Sequence, residues 1–114
     1  MKTEVVELYS ELEVQPLTTE DIVRQAARKY GIDENYFVEI AKCESSLIPT
    51  KVNYGYTENG IDFPSGLFQH LNNYWPSRAA DYGYTGANVL DAEANANVTA
   101  QMFRDGLSYL WECK

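Results

Sequence analysis

The stretch that decides the fold is residues 40–69, IAKCESSLIPTKVNYGYTENGIDFPSGLFQ, with Glu44 near its head. Phe37, Ile40 and Ala41 precede Glu44 by seven, four and three positions, the spacings that share one face of an α-helix. The carboxyl therefore falls on the apolar side of its own helix, where a charged group seldom sits without a task. Ser45, Ser46 and Pro49 follow and predict that the helix ends there, so the carboxyl also lies near the negative pole of the helix dipole. Both surroundings favour the protonated form. A carboxylic acid that keeps its proton near neutral pH can serve as a general acid toward a poor leaving group.

Downstream of Pro49 the period changes. Val52, Tyr54 and Tyr56 alternate with smaller or polar residues, Asn59-Gly60 is a hairpin turn signal, and Ile61 and Phe63 resume the apolar pattern. A short β-hairpin or ordered loop is expected over 49–65. Ser65 is placed to cap a helix running through Gly66, Leu67, Phe68, Gln69 and Leu71 and ending near Tyr74-Trp75-Pro76. A further short helix is expected over 76–82, stopped by Gly83. Upstream, Thr18 or Thr19 caps a helix stopped by Gly31, and Asp33 caps the helix that carries Glu44. Asp91 caps a last long helix that the pattern carries through to Trp111.

These residues also carry a likeness. Glu44-Ser45-Ser46, Asn53 nine residues beyond the Glu, Asn59-Gly60, and Gly66-Leu67-Phe68-Gln69 occur in the order found in the lysozyme-like superfamily. The chain most closely resembles the catalytic domain of soluble lytic transglycosylases over about residues 22–113, with an echo of c-type lysozymes. Asp91, Glu93 and Asn95 are similar to an Asp-Pro-Glu-Ala-Asn run common in such domains, with Ala92 in place of the proline. Trp111 and Cys113 are similar to a terminal Trp-x-Cys.

The resemblance implies an α+β, mainly α, lysozyme-like fold of about five to six helices. A short hairpin or loop would lie between the catalytic helix and the Gly-Leu-Phe-Gln helix. Residues 1–17, with Val5, Leu8, Tyr9 and Leu12 at helical spacing, form an acidic helical arm, and residues 18–114 form the catalytic domain. The activity implied is cleavage of the β-1,4 bond between N-acetylmuramic acid and N-acetylglucosamine in peptidoglycan, with Glu44 as general acid and then base. Ser45, Ser46, Asn53, Tyr54, Tyr56, Gln69 and Asn95 would bind the glycan strand. Glycoside hydrolysis usually takes a second carboxyl. Asp62 is the candidate, although Phe63-Pro64-Ser65 separates it from Gly66, two residues out of the c-type register, and Glu58 is a weaker one. Three alternatives stand beside the transglycosylase: a hydrolytic muramidase using Asp62, a non-catalytic glycan-binding module of the same fold, and an acidic helical adaptor.

The whole chain bounds these readings. Its 114 residues, 45% hydrophobic, suffice for one core and one domain, expected to work as a monomer. A formal charge of −8 with only 9 basic residues argues against a nucleic-acid partner and also makes an anionic wall polymer an awkward substrate at low ionic strength. No stretch reads as a membrane span, and MKTEVVELYSELEV is too acidic and polar for a secretory signal peptide. The expected setting is extracytoplasmic, whether secreted, periplasmic or virion-associated, with the leader removed or export by another route. The two cysteines, Cys43 and Cys113, read either as a staple from tail to catalytic helix or as two buried free thiols. No zinc spacing exists, no cofactor is implied, and the lone His70 reads as a packing or solvent-edge residue rather than a ligand or catalytic base.

Overall fold

Thr18 caps the first described helix. Its hydroxyl accepts from the Asp21 N–H at 3.0 Å while the Asp21 carboxylate accepts from the Thr18 N–H at 3.2 Å, a reciprocal capping box. Helix α1 (Thr19–Lys29) follows and buries Val23, Ala26 and Ala27. Gly31, at φ 76°, takes the left-handed step after it, and the chain turns at once into Asp33, whose carboxylate caps α2 (Glu34–Ser45) through the Tyr36 N–H. This is a computed structural model, and it describes residues 16–55 and 62–113. All but the last two residues of the expected N-terminal arm over residues 1–17, together with Tyr56, Glu58 and the Asn59-Gly60 turn, lie outside the described residues.

Helix α2 buries Phe37, Val38, Ile40 and Ala41 and stops where Ser46 adopts φ 56° and donates its N–H to the Lys42 carbonyl. Glu44 thus occupies the last turn, as its sequence neighbours suggest. Two short antiparallel strands come next, β1 (Pro64–Ser65) and β2 (His70–Leu71), with Pro64 opposite Leu71 and Ser65 opposite His70. Val52 adds an isolated bridge to Ser65.

The expected helix through Gly66-Leu67-Phe68-Gln69 is instead the turn joining these strands. Gly66 and Gln69 sit at φ 81° and 56°, values no α-helix contains. The cause lies elsewhere in the chain. Asn95 accepts from the Phe68 N–H at 2.9 Å and donates to the carbonyls of Val89 and Ser65, pinning the turn from below. A Cβ at Gly66 would fall inside contact distance of the Asn95 amide and the Val89 carbonyl, so only glycine fits.

Helix α3 (Trp75–Asp81), with Pro76 in its first turn, and helix α4 (Ala92–Arg104), capped by Asp91, complete the frame. The last helix ends at Arg104 rather than running on to Trp111. Gly106 takes φ 84°, and a 3-10 turn, Ser108–Leu110, leads into the tail. Four α-helices and one 3-10 turn therefore stand among the described residues where five to six helices were expected. Helix α4 is buried along nearly its whole length and is the axis on which α1 and the turn over Asn95 pack. Phe37 stacks on Phe68 with ring centroids 4.4 Å apart, Phe103 meets Phe37 edge-on at 5.3 Å, and Trp111 meets Phe103 at 5.1 Å. Offset and edge contacts at these separations suit the ring quadrupole.

Cys43 and Cys113 are joined, with Cα atoms 5.9 Å apart, so the staple is the form adopted. It closes 70 residues of chain, and in the chain-entropy account such a loop contributes roughly 4 kcal/mol through the unfolded state.

Candidate active site

A cavity of about 560 Å³ opens beside the end of α2, and Glu44 lines it. The apolar stripe of α2 puts Glu44 on the side that meets the tail, and the tail lies across it. The Glu44 carboxyl is half-buried, and this burial is the main cause that raises its proton affinity above the ordinary carboxylate range. The negative charge of Glu112 raises it further, whereas the backbone N–H of Cys113 and the cation of Lys51 pull it down. Burial prevails, and the group is a carboxylic acid of elevated pKa facing a cleft. The disulfide fastens the very residue whose amide faces that carboxyl.

Several side chains expected at the site do reach the cavity. Asn53 and Gln69 both line it. The Gln69 amide nitrogen donates to the carbonyls of Lys51 at 3.2 Å and Gly66 at 2.9 Å, so its hydrogens are spent on the backbone and its oxygen is the group with capacity for a sugar hydroxyl. Asn53 accepts from the Gly55 N–H at 3.2 Å, which ties its own loop.

Others lie elsewhere. Asp62 is 2% exposed, accepts from the Asn73 N–H at 2.9 Å and is not among the residues lining the cavity. Ser45 is fully buried and donates back to the Ala41 carbonyl, while Ser46 is exposed at the helix end. Asn95 is buried under the turn it holds. Tyr54 is exposed and packs edge-on to Phe63 at 5.0 Å, outside the lining.

The lining also includes polar and aromatic residues that the sequence reading did not assign to the site, namely Lys51, Tyr74, Arg78, Trp111 and Glu112. Tyr74 and Arg78 carried a detectable signal, the i, i+4 spacing that stacks an aromatic and a cation on one helix face. Their contact is 5.1 Å from guanidinium carbon to ring centroid. Trp111 carried only the terminal Trp-x-Cys likeness and Glu112 carried none, because the tail reaches α2 through the disulfide and through the packing of Trp111 on Phe103 and its hydrogen bond to the Phe68 carbonyl.

His70 is wholly buried between the rings of Trp75 and Trp111, with centroids at 5.1 and 5.3 Å. Its Nε2 is 2.7 Å from the Thr99 hydroxyl, and that hydroxyl donates to the Asn95 carbonyl. The hydroxyl's hydrogen being used, Nε2 must be the donor and Nδ1 the acceptor, and Nδ1 lies 3.0 Å from the Arg78 guanidinium. Burial, reinforced by the Arg78 charge, lowers the imidazole pKa to about 3, so the ring is neutral. Among the described residues no group of three or more His, Cys, Asp or Glu gathers to hold a metal ion.

The family model for the Transglycosylase SLT domain matches residues 21–111. The chain belongs to this family. The match begins in α1, spans the Glu44 helix, the Gly66 turn and α4, and ends at Trp111 in the cleft wall. The SLT domain thus takes in nearly the whole described frame, and a lytic transglycosylase type of peptidoglycan cleavage is supported at family level. Searches of curated proteins and of solved structures return no match for it. No helix among the described residues is long and apolar enough to cross a membrane.

Proposed function

We propose that this SLT domain is a lytic transglycosylase that cleaves the β-1,4 bond between N-acetylmuramic acid and N-acetylglucosamine, with Glu44 as its acid and base. The observation that carries the reading is that, among the described residues, Glu44 is the half-buried carboxyl of raised pKa facing the cleft, with Asp62 engaged elsewhere by the Asn73 amide. Glu44 gives its proton to the glycosidic oxygen as the bond from that oxygen to the muramic C1 breaks. The resulting carboxylate then takes the proton of the muramic C6 hydroxyl, whose oxygen closes on C1 and forms a 1,6-anhydro ring. One carboxyl serves both steps, and it is returned protonated for the next cycle.

Asn53 and the Gln69 oxygen are assigned to sugar hydroxyls, and the exposed Tyr74 offers an aromatic ring along the cleft. The reaction needs a water-poor groove, because internal attack competes with water at C1. An extracytoplasmic place of action follows from this substrate.

The test is mass spectrometry of muropeptides released from purified sacculi. Anhydro-muramic ends are expected. Reducing muramic ends would instead indicate a hydrolase, and no products at all with retained glycan binding would indicate a module without turnover. Glu44→Gln should lower the rate by about 10²–10⁴, the span attributed to a positioned general acid or base. Turnover at the parent rate would remove Glu44 from the mechanism.

A further inference from the structure

Arg78 is a half-buried cation in the cleft wall with no carboxylate in salt-bridge reach among the described residues. What holds it is neutral. One guanidinium N–H meets the His70 Nδ1 at 3.0 Å, and the Tyr74 and Trp111 rings lie 5.1 and 5.9 Å from its central carbon. Behind His70, Thr99 and the Asn95 carbonyl fix the tautomer, so three buried groups orient one arginine without cancelling its charge. Taking a cation out of water toward neutral partners is costly, and burial lowers the Arg78 pKa accordingly. An arginine needed only for packing would be cheaper as an apolar residue or paired with an acid. Held in this way, it keeps its charge and most of its planar fork of donors for something that arrives from the cleft. Glu44 and Arg78 line the same cavity.

We infer that Arg78, buttressed by His70 and Thr99, is a carboxylate-recognising subsite that reads an acid group carried by the glycan strand in the cleft that Glu44 lines. The inference rests on the peptidoglycan reading above. A planar carboxylate matches the guanidinium fork with two parallel hydrogen bonds, which a neutral hydroxyl does not. Such a carboxylate is borne by the lactyl ether of a peptide-free muramic acid or by the stem peptide of a substituted one. Either source presents the same chemistry to Arg78. The subsite also answers a difficulty of charge, since it gives a chain of net charge −8 one fixed cation with which to seat an anionic polymer.

The experiment measures binding by calorimetry in the Glu44→Gln background, so that turnover plays no part. Four probes are compared: peptide-free glycan oligomers with free lactyl carboxylates, the same oligomers amidated at the lactyl group, and peptide-bearing oligomers with free or amidated peptide carboxyls. One free acid should bind about 10-fold or more tightly than its amide, the span of a charge-assisted hydrogen bond. The pair that differs names the source. Arg78→Gln should abolish that difference while leaving binding of the amidated probe unchanged, and Arg78→Lys should restore part of it. As the positioning residue, His70→Gln should reduce the discrimination without changing amide binding, and Thr99→Val provides a second, milder variant. Equal binding of acid and amide by the parent, or equal weakening of every probe by Arg78→Gln, overturns the subsite and leaves the proposed function standing. Failure of all four probes to bind overturns both. Absence of anhydro products from the parent protein on sacculi, with discrimination intact, overturns only the reaction.

Discussion

At the scale of single residues, the site is a matter of where protons rest. Glu44 has a folded-state pKa above its unfolded value, so its neutral form stabilises the fold at low pH and that contribution is lost as pH rises through the raised pKa. Glu44→Gln removes a charge that burial disfavours. At pH 7 its melting temperature should equal or exceed the parent's, with the gap closing toward pH 4, as thermal melts across pH will read. Glu112 raises the same pKa from the tail, and the alkaline limb of the rate profile follows the protonated fraction of Glu44. Glu112→Gln should therefore shift that limb to lower pH, and an unmoved limb in a pH-rate series would separate the two carboxyls. His70 behaves oppositely. Its folded pKa of about 3 lies below the ordinary 6.5, so the unfolded chain binds a proton that the folded chain refuses. Stability is intact above pH 6.5 and is lost as pH falls toward 3, at roughly 1.4 kcal/mol per pH unit from this group. Urea denaturation between pH 6 and 4 should give a flatter dependence for His70→Gln than for the parent, by up to one proton.

At the scale of elements, the decisive piece is the turn between β1 and β2. Gly66→Ala would place a Cβ against the Asn95 amide and the Val89 carbonyl and hold alanine at φ 81°. Both neighbours belong to a buried network that cannot step aside. The expected loss is about 2 kcal/mol or more, combining left-handed strain with overpacking, and denaturant midpoints will measure it. The turn also shows what a sequence can and cannot disclose. Thr18, Asp33 and Asp91 were legible as caps because each acts on an amide three residues ahead. Residues 66–69 read as a helix because the group that forbids one, Asn95, lies 27 residues beyond Phe68. Glu44 was legible from its own helix. Its companions Trp111 and Glu112 were not, since no local pattern announces that a tail will fold back across a cleft. The Asn95 side chain, expected to touch sugar, instead acts through the turn, where the family motif and the fold's needs coincide.

Across the whole molecule, charge and connectivity set the conditions of work. A net charge of −8 faces an anionic polymer, and at 10 mM salt the repulsion reaches about 30 Å, against about 8 Å at physiological ionic strength. Turnover on sacculi should therefore rise between these salt concentrations before it falls, and a monotonic decline in rate would mean that local cations such as Arg78 and Lys51 dominate the encounter. The bridge from Cys43 to Cys113 has a different reach. It anchors the tail one residue before the acid on the same helix, beside the amide that faces Glu44. Were residues 111–113 to lift away, solvent would enter the groove and the burial that raises the Glu44 pKa would be lost. Joined to α2 at Cys43, with Trp111 packed on Phe103 and donating to the Phe68 carbonyl, the cover over the reactive proton is tied both to the helix and to the core beneath it.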